Sequence, residues 1–211
     1  MNSNTPMEIE GKWLVKELRS LEFKLNVLGA ECIQSRVYEN NLRFDTPDRK
    51  LSEQWKVLRL RQDTAARFTF KSPQKSEGGI RSNAEIEFTV GDFELSKQFL
   101  EALGYEMYFQ YEKYRAVYEL DGCHIMLDEL PYGDFVEIEG EDSDAVVALA
   151  EKLGLNIHAS SALNYAGLFD YYCQQTSSGF QNLTFAAFES VTVTPTQLGL
   201  RYADEEPTES V

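Results

Sequence analysis

Charged residues in this 211-residue chain repeatedly occupy alternate positions, and within each short stretch they carry one sign. Glu8 and Glu10 begin the series in Met7-Glu8-Ile9-Glu10-Gly11-Lys12-Trp13. Arg59 and Arg61, Glu85 and Glu87, Lys113 and Arg115, and Glu137 and Glu139 continue it. Successive side chains of a strand point to opposite faces, so each pair shares one face. In the first stretch Glu8, Glu10 and Lys12 lie together, opposite Met7, Ile9 and Trp13. A single strand of this kind is ordinarily the wet side of an antiparallel sheet. Repeated like-charged pairs have no stabilising logic unless an opposite charge or a ligand faces them. Glu8 and Glu10 stand roughly 6.5–7 Å apart along a strand, and at an effective dielectric of about 20 they repel by about 2 kcal/mol. The pattern therefore predicts an α+β fold whose charged faces converge inside an antiparallel β-barrel.

Composition narrows the function classes. A net charge of −15 leaves no general basic footprint for a nucleic-acid duplex. No apolar run reaches the roughly 18 residues of a membrane span. The first residues show no basic start followed by an apolar stretch, so a cytoplasmic protein is expected. Cys32, Cys123 and Cys173 are far apart and odd in number, which fits reduced thiols rather than a disulfide framework or a zinc site.

Along the chain, strands are expected over Met7–Val15, Arg36–Phe44, Val57–Arg61, Ala66–Lys71, Ala84–Val90, Glu106–Leu120, Cys123–Leu127 and Phe135–Glu139. Helices are expected over about 17–29, 93–103, 146–153 and 161–172, the first two stopped by Gly29 and Gly104. Ser72–Gly79 reads as a polar loop. Asp121-Gly122 is a hairpin turn. The domain is read as residues 7–172. Gln174–Gly179 reads as a linker within an extension, 173–211, whose apolar residues (among them Leu183, Phe188 and Leu198) predict docking, with 203–211 disordered.

The two signs suggest complementary walls. Glu8, Glu10, Asp128, Glu137 and Glu139 are hard oxygen donors of the kind that suits Mg²⁺ or Mn²⁺. Arg59, Arg61, Lys71, Lys113 and Arg115 supply enough donors to surround a phosphate chain, with Arg shaped for bidentate contacts. Phosphoryl or nucleotidyl transfer needs this combination of charge neutralisation and alignment.

The ordered set of motifs resembles the CYTH, or triphosphate tunnel, family. EIEGK (8–12) resembles its E-x-E-x-K signature. LRLR (58–61), FTFK (68–71), AEIEF (84–88), KYR (113–115), LDE (127–129), FVEIEG (135–140) and NYAGLF (164–169) follow in the expected order. The nearest likeness is to class IV adenylyl cyclase-like members. The resemblance implies an eight-stranded antiparallel tunnel with helices outside, using Mg²⁺ or Mn²⁺ on triphosphates. It implies metal-site roles for Glu8, Glu10, Glu137 and Glu139, with Glu87 and Asp128 as further acidic wall positions. Lys12 would position the nucleophile or phosphate, and with Glu10 makes the catalytic pair. Arg59, Arg61, Lys71, Lys113 and Arg115 would bind phosphates, with Arg36 a weaker candidate. Asn83 stands where many relatives carry Arg, and Arg81, on the face of Glu85 and Glu87, is the expected substitute. Lys71-Ser72-Pro73 replaces the Lys-Gly-Pro frequent in the cyclase-like branch.

The expected activity is hydrolysis of a triphosphate such as tripolyphosphate, ATP or thiamine triphosphate. The alternatives are conversion of ATP to cyclic AMP and pyrophosphate, and a non-catalytic polyphosphate- or nucleotide-binding barrel. A homodimer is one assembly open to such a chain. A purely structural β-domain would leave these charges facing bulk solvent.

Overall fold

The computed structural model describes residues 7–77 and 80–205, with the side chains of 7–8, 74–77 and 80–83 outside that description. Its eight strands are β1 (Met7–Val15), β2 (Glu31–Asp45), β3 (Val57–Gln62), β4 (Ala66–Glu77), β5 (Ile80–Val90), β6 (Glu106–Leu120), β7 (Cys123–Leu130) and β8 (Gly133–Gly140). They hydrogen-bond in the order β1-β5-β4-β3-β2-β6-β7-β8 and close into a barrel. Every neighbouring pair is antiparallel, and β1 closes the ring by pairing with both β5 and β8. The barrel is the α+β architecture that the alternating charges predict.

Helices α1 (Leu18–Val27), α2 (Lys50–Glu53), α3 (Phe93–Ala102), α4 (Ser143–Lys152), α5 (Tyr165–Thr176) and α6 (Phe185–Phe188) lie among and after the strands. Four of them begin on side chains that satisfy a helix's unpaired first-turn donors, since Asp92, Asp142, Asn164 and Thr184 each accept a hydrogen bond from a first-turn backbone N–H. The outward residues of the strands form the core. Trp13, Ile125 and Ile138 pack under Leu21 and Leu25 of α1 and Val146 and Leu149 of α4. Leu42 and Leu60 pack under Leu100 of α3. Phe109 and Phe135 pack with Leu168, Phe169 and Tyr172 of α5. Most strands thus turn apolar residues out to helices and charged alternates inward, whereas on β5 the outward Ile86 and Phe88 are exposed. Asp121 and Gly122 both have positive φ, which matches the twist of the tight β6–β7 turn.

Several sequence expectations shift. The stretch 72–77 is part of β4 and not a loop; a register irregularity between Pro73 and Lys75 accommodates the missing proline donor. β2 begins at Glu31, with irregularities at Cys32/Gln34, Gln34/Val37 and Arg43/Phe44 that blur its alternation. β7 continues past Asp128 to Leu130. α5 starts at Tyr165 and runs through the 172–173 boundary to Thr176. In the tail Leu183, Phe188 and Leu198 are buried. Ala203 donates to the Leu14 carbonyl and the Asp204 carboxylate accepts from the Lys16 N–H. Residues 206–211 of the stretch expected to be disordered lie outside the described residues.

Candidate active site

The interior of the barrel holds a cavity of about 580 Å³ lined by Glu10, Lys12, Arg59, Arg61, Lys71, Glu87, Lys113, Arg115, Glu137 and Glu139, among others. Lys12 and Lys113 are only 2% and 1% exposed. These charges face the barrel interior, which rules out the purely structural domain. Arg36, the weaker candidate, points the other way: its guanidinium bonds Glu129 and stacks on Tyr114, half exposed on the outer surface.

The basic wall is built on β3, β4 and β6. Arg59 donates to the Tyr111 hydroxyl at 3.1 Å and the Thr69 hydroxyl at 3.0 Å. Arg61 bonds Glu87 at 2.9 Å and lies 3.3 Å from Asp63 and 3.6 Å from Glu39. Lys71 pairs with Glu85 at 3.0 Å. Lys113 lies between Asp128 at 3.1 Å and Glu39 at 3.5 Å. Arg115 holds Asp128 with two donors, at 2.6 and 2.5 Å, and also reaches Glu137.

The carboxylates proposed as metal donors separate into two kinds. Asp128 is fully buried and accepts from Lys113, Arg115 and the Tyr165 hydroxyl at 2.6 Å. Glu137 is shared by Lys12 and Arg115, and Glu87 by Arg61 and the Thr69 hydroxyl. All three are paired with cations. Glu10 and Glu139 instead stand directly opposite each other on β1 and β8, with His124 opposite Glu139 on β7. Among the described residues no three His, Cys, Asp or Glu side chains already form a metal-coordinating group. The side chains of Glu8 and Arg81 lie outside the described residues; the register places Glu8 opposite Asn83 and Arg81 opposite Glu10.

Sequence reasoning missed several interior residues. Glu39, Asn41 and Arg43 all line the inside of β2, where the irregularities hide their phase. Asn41 is fully buried with neither amide atom hydrogen-bonded, and the Arg43 Nε is likewise unpaired. Each unmet buried group costs about 1–3 kcal/mol. Arg67 binds Asp63 across the β3–β4 turn. Tyr165 enters from α5: its ring lies 3.6 Å from the Lys12 Nζ while its hydroxyl holds Asp128. The Asp63-x-x-x-Arg67 spacing across a hairpin was the available signal for one of these; a helix-borne tyrosine leaves none in a strand pattern.

The model of the CYTH domain matches residues 6–158, most of the chain. The chain belongs to the CYTH family. Among solved structures, a candidate adenylate cyclase from Vibrio parahaemolyticus aligns at 23% identity and a TM-score of 0.69, over 79% of this chain and 99% of that one. A conserved hypothetical protein from Pyrococcus furiosus aligns at 26% identity and a TM-score of 0.64, over 75% and 97%. A candidate adenylyl cyclase from Hippeastrum, described as having a dominant triphosphatase activity, aligns at 19% identity and a TM-score of 0.59, over 92% and 100%. No curated protein sequence matches the chain.

Within this CYTH barrel the two walls set each other's ionisation. Burial pushes the Asp128 carboxyl up, but Arg115 and Lys113 outweigh it and hold the group well below the usual carboxylate range. Glu39 follows the same logic: burial opposes its charge, while Lys113, Arg115 and Arg61 leave its pKa lowered. Burial and the neighbouring Arg115 lower the Lys113 ammonium, although Asp128 and Glu39 oppose them. Burial and the adjacent Arg59 lower Arg61. Glu139 behaves differently. Burial raises it, and Glu10 and Glu85 raise it further against the opposing charge of Lys71. That end of the CYTH tunnel brings the Glu10, Glu85 and Glu139 carboxylates together with His124 and Lys71, and its carboxylate oxygens suit a hard divalent cation.

Proposed function

We propose that the protein is a divalent-metal-dependent triphosphatase that binds its substrate's phosphate chain inside the barrel. The resemblance to triphosphate tunnel proteins implies a metal-dependent enzyme acting on triphosphates. The observation that carries the proposal is the juxtaposition of buried cations with an acidic rung inside one closed barrel. Arg59, Arg61, Lys113 and Arg115 line the cavity, and Glu10 faces Glu139 across neighbouring strands.

In this reading Arg59, Arg61, Lys71, Lys113 and Arg115 bind phosphate oxygens, with Arg81 a further donor. Their present carboxylate partners hold them in place before substrate arrives, which lowers the reorganisation required in the transition state. Lys12, fixed between Glu137 and the Tyr165 ring, places positive charge at the reacting phosphoryl group. Glu10 orients the attacking water. Glu8, Glu10 and Glu139 would hold Mg²⁺ or Mn²⁺, while Glu87, Asp128 and Glu137 position the cations around them. A metal bound there would neutralise phosphate oxygens and align the chain. The water oxygen bonds to the terminal phosphorus, the bond to the bridging oxygen breaks, and the shortened chain leaves as an anion with one proton passing to solvent.

A second reading, cyclisation of ATP, draws on Trp55. It lines the cavity mouth yet is 78% exposed, an aromatic surface available to a nucleobase. A product assay separates the readings. Tripolyphosphate, ATP and thiamine triphosphate are incubated with protein and Mg²⁺ or Mn²⁺, and phosphate, pyrophosphate and cyclic AMP are resolved. Triphosphatase activity releases phosphate. Pyrophosphate with cyclic AMP in equal amounts would replace it with the cyclase. No product from any substrate would leave a binding barrel.

A further inference from the structure

β6 outruns one of its neighbours. β7 pairs with it only from Tyr114 onward, whereas β2 follows it back to Glu106. Over residues 110–112 the side of β6 away from β2 is filled by the C-terminal extension. Leu183 bridges Tyr111 in parallel: its N–H donates to the Gln110 carbonyl at 2.9 Å, and its carbonyl accepts from the Glu112 N–H at 2.9 Å. The Asn182 side chain accepts from the Gln110 N–H at 2.8 Å, and the Glu112 carboxylate accepts from the Phe185 N–H at 2.9 Å. Leu183 is fully buried and packs in one cluster with Phe109 and Tyr111. This strap lies beyond residues 6–158, the part of the chain that the CYTH model matches. Tyr111 carries it to the cavity. Its hydroxyl accepts from Nη1 of Arg59 at 3.1 Å, and the Thr69 hydroxyl accepts from Nη2 at 3.0 Å. One hydroxyl thus holds each arm of the guanidinium fork. Thr69 is fixed between β3 and β5, but Tyr111 is fixed between β2 and the strap.

From these contacts we infer that Asn182 and Leu183 are positioning residues of the tunnel, which set Tyr111 and, through its hydroxyl, the plane of Arg59. The inference rests on the reading of Arg59 as a phosphate ligand and adds to it a requirement for the C-terminal extension. A guanidinium grips a phosphate with two parallel donors only when its fork is held in the right plane. A strand edge without a partner opens locally at low free energy. Without the strap, the Gln110 N–H and carbonyl and the Glu112 N–H would all lose their partners. The phenol ring is rigid, so a shift of the backbone at 111 is passed to the hydroxyl and on to Arg59. Misplacing a binding group by about 1 Å can cost on the order of 100-fold, so a strap that touches no substrate still acts on binding.

Titration calorimetry on the full chain, with inorganic tripolyphosphate in metal-free buffer containing EDTA, reads the effect. Tyr111→Phe is expected to weaken binding about tenfold, the scale of losing one hydrogen bond to a charged group. Leu183→Ala is expected to weaken it about fivefold. Asn182→Ala removes a single acceptor and is expected to act in the same direction; it serves if the leucine variant fails to fold. The deciding arm is the double variant. Added to Tyr111→Phe, either strap substitution should change the affinity by less than about twofold, because the link to Arg59 is already cut. A merely structural strap would lower Tm and leave the affinity of the folded protein alone, and that outcome overturns the inference. Unchanged affinity in Tyr111→Phe overturns it, as do equal strap losses in the wild-type and Tyr111→Phe backgrounds. Wild-type protein that does not bind tripolyphosphate overturns the inference and the polyphosphate reading together, whereas intact binding without the coupling removes the strap alone. Coupling without any phosphate release once Mg²⁺ or Mn²⁺ is restored would uphold the strap and remove the triphosphatase.

Discussion

Lys12 on β1 and Glu137 on β8 stand directly opposite each other and form an ion pair sealed inside the barrel, and the same carboxylate also receives Arg115 from β6. One carboxylate thus joins cations from two sides of the ring. Glu137→Gln is expected to leave two buried cations under-compensated and to cost about 3 kcal/mol of stability, the scale seen when one partner of a buried pair is removed. Urea unfolding at neutral pH measures it. A loss below about 1 kcal/mol would place the pair in the category of solvent-relaxed surface bridges.

Tyr165 allows the two functions of one side chain to be separated. Tyr165→Phe removes the hydroxyl that donates to Asp128 and keeps the ring beneath Lys12. It is expected to cost about 1.5–3 kcal/mol, the usual worth of a hydrogen bond to a charged group. Tyr165→Leu should cost more, since it also removes the cation–π contact and the ring packing on Phe135. Equal losses in the two variants would assign no role to the ring.

Two aspartates tilt the pH dependence of stability in opposite directions. Asp128 has its pKa depressed in the fold despite burial, so its contribution is complete above the ordinary carboxylate range and is lost as pH falls. Asp134 is raised from 3.8 to about 6 by burial and by Glu129. Between those values the folded state holds more proton than the unfolded chain, so this contribution is lost as pH rises through that window. Asp134→Asn is therefore expected to raise Tm relative to wild type at pH 8 and to leave it nearly unchanged at pH 4. A gain confined to pH 4 would reverse the assignment.

The acid-rich rung predicts where metal affinity resides. Glu10→Gln and Glu139→Gln should each weaken Mn²⁺ binding, read by the paramagnetic signal of the free ion, and abolish phosphate release. Losses of about 10-fold to 100-fold in affinity are expected, on the scale of disturbing a metal's immediate surroundings. Chelation of wild-type protein should stop turnover, with Mg²⁺ or Mn²⁺ restoring it. Turnover that persists in Glu10→Gln at wild-type rate would move the metal away from this rung.

Much of the barrel was legible because strands carry a strict two-residue period. Met7–Val15 and Glu106–Leu120 coincide with β1 and β6, and the like-charged pairs Arg59/Arg61, Lys113/Arg115 and Glu137/Glu139 face the cavity. The period fails where the backbone departs from it. Three irregularities in β2 shift its phase, so Glu39, Asn41 and Arg43 could not be assigned to a face from alternation. Ser72–Gly79 read as a polar loop, but β4 runs on through Pro73 to Glu77 with an irregularity between Pro73 and Lys75. Sequence also could not tell which acid meets a cation and which meets another acid on the neighbouring strand. That distinction depends on which residues lie opposite across the ring: Glu137 meets Lys12, whereas Glu139 meets Glu10.

The barrel closes by joining β1 to β8, and Ala203 and Asp204 then fasten onto the backbone of Leu14 and Lys16. β1 therefore gains one partner from β5, but the other, β8, comes more than a hundred residues after it, and its anchor at Ala203 and Asp204 comes later still. Contacts so distant in sequence make for slow folding, with one edge of β1 exposed to wrong partners in the interval. The cation Lys12 acquires its carboxylate only at that late closure. A chain stalled before residue 137 therefore carries the cavity's arginines without the strand that closes the barrel around them.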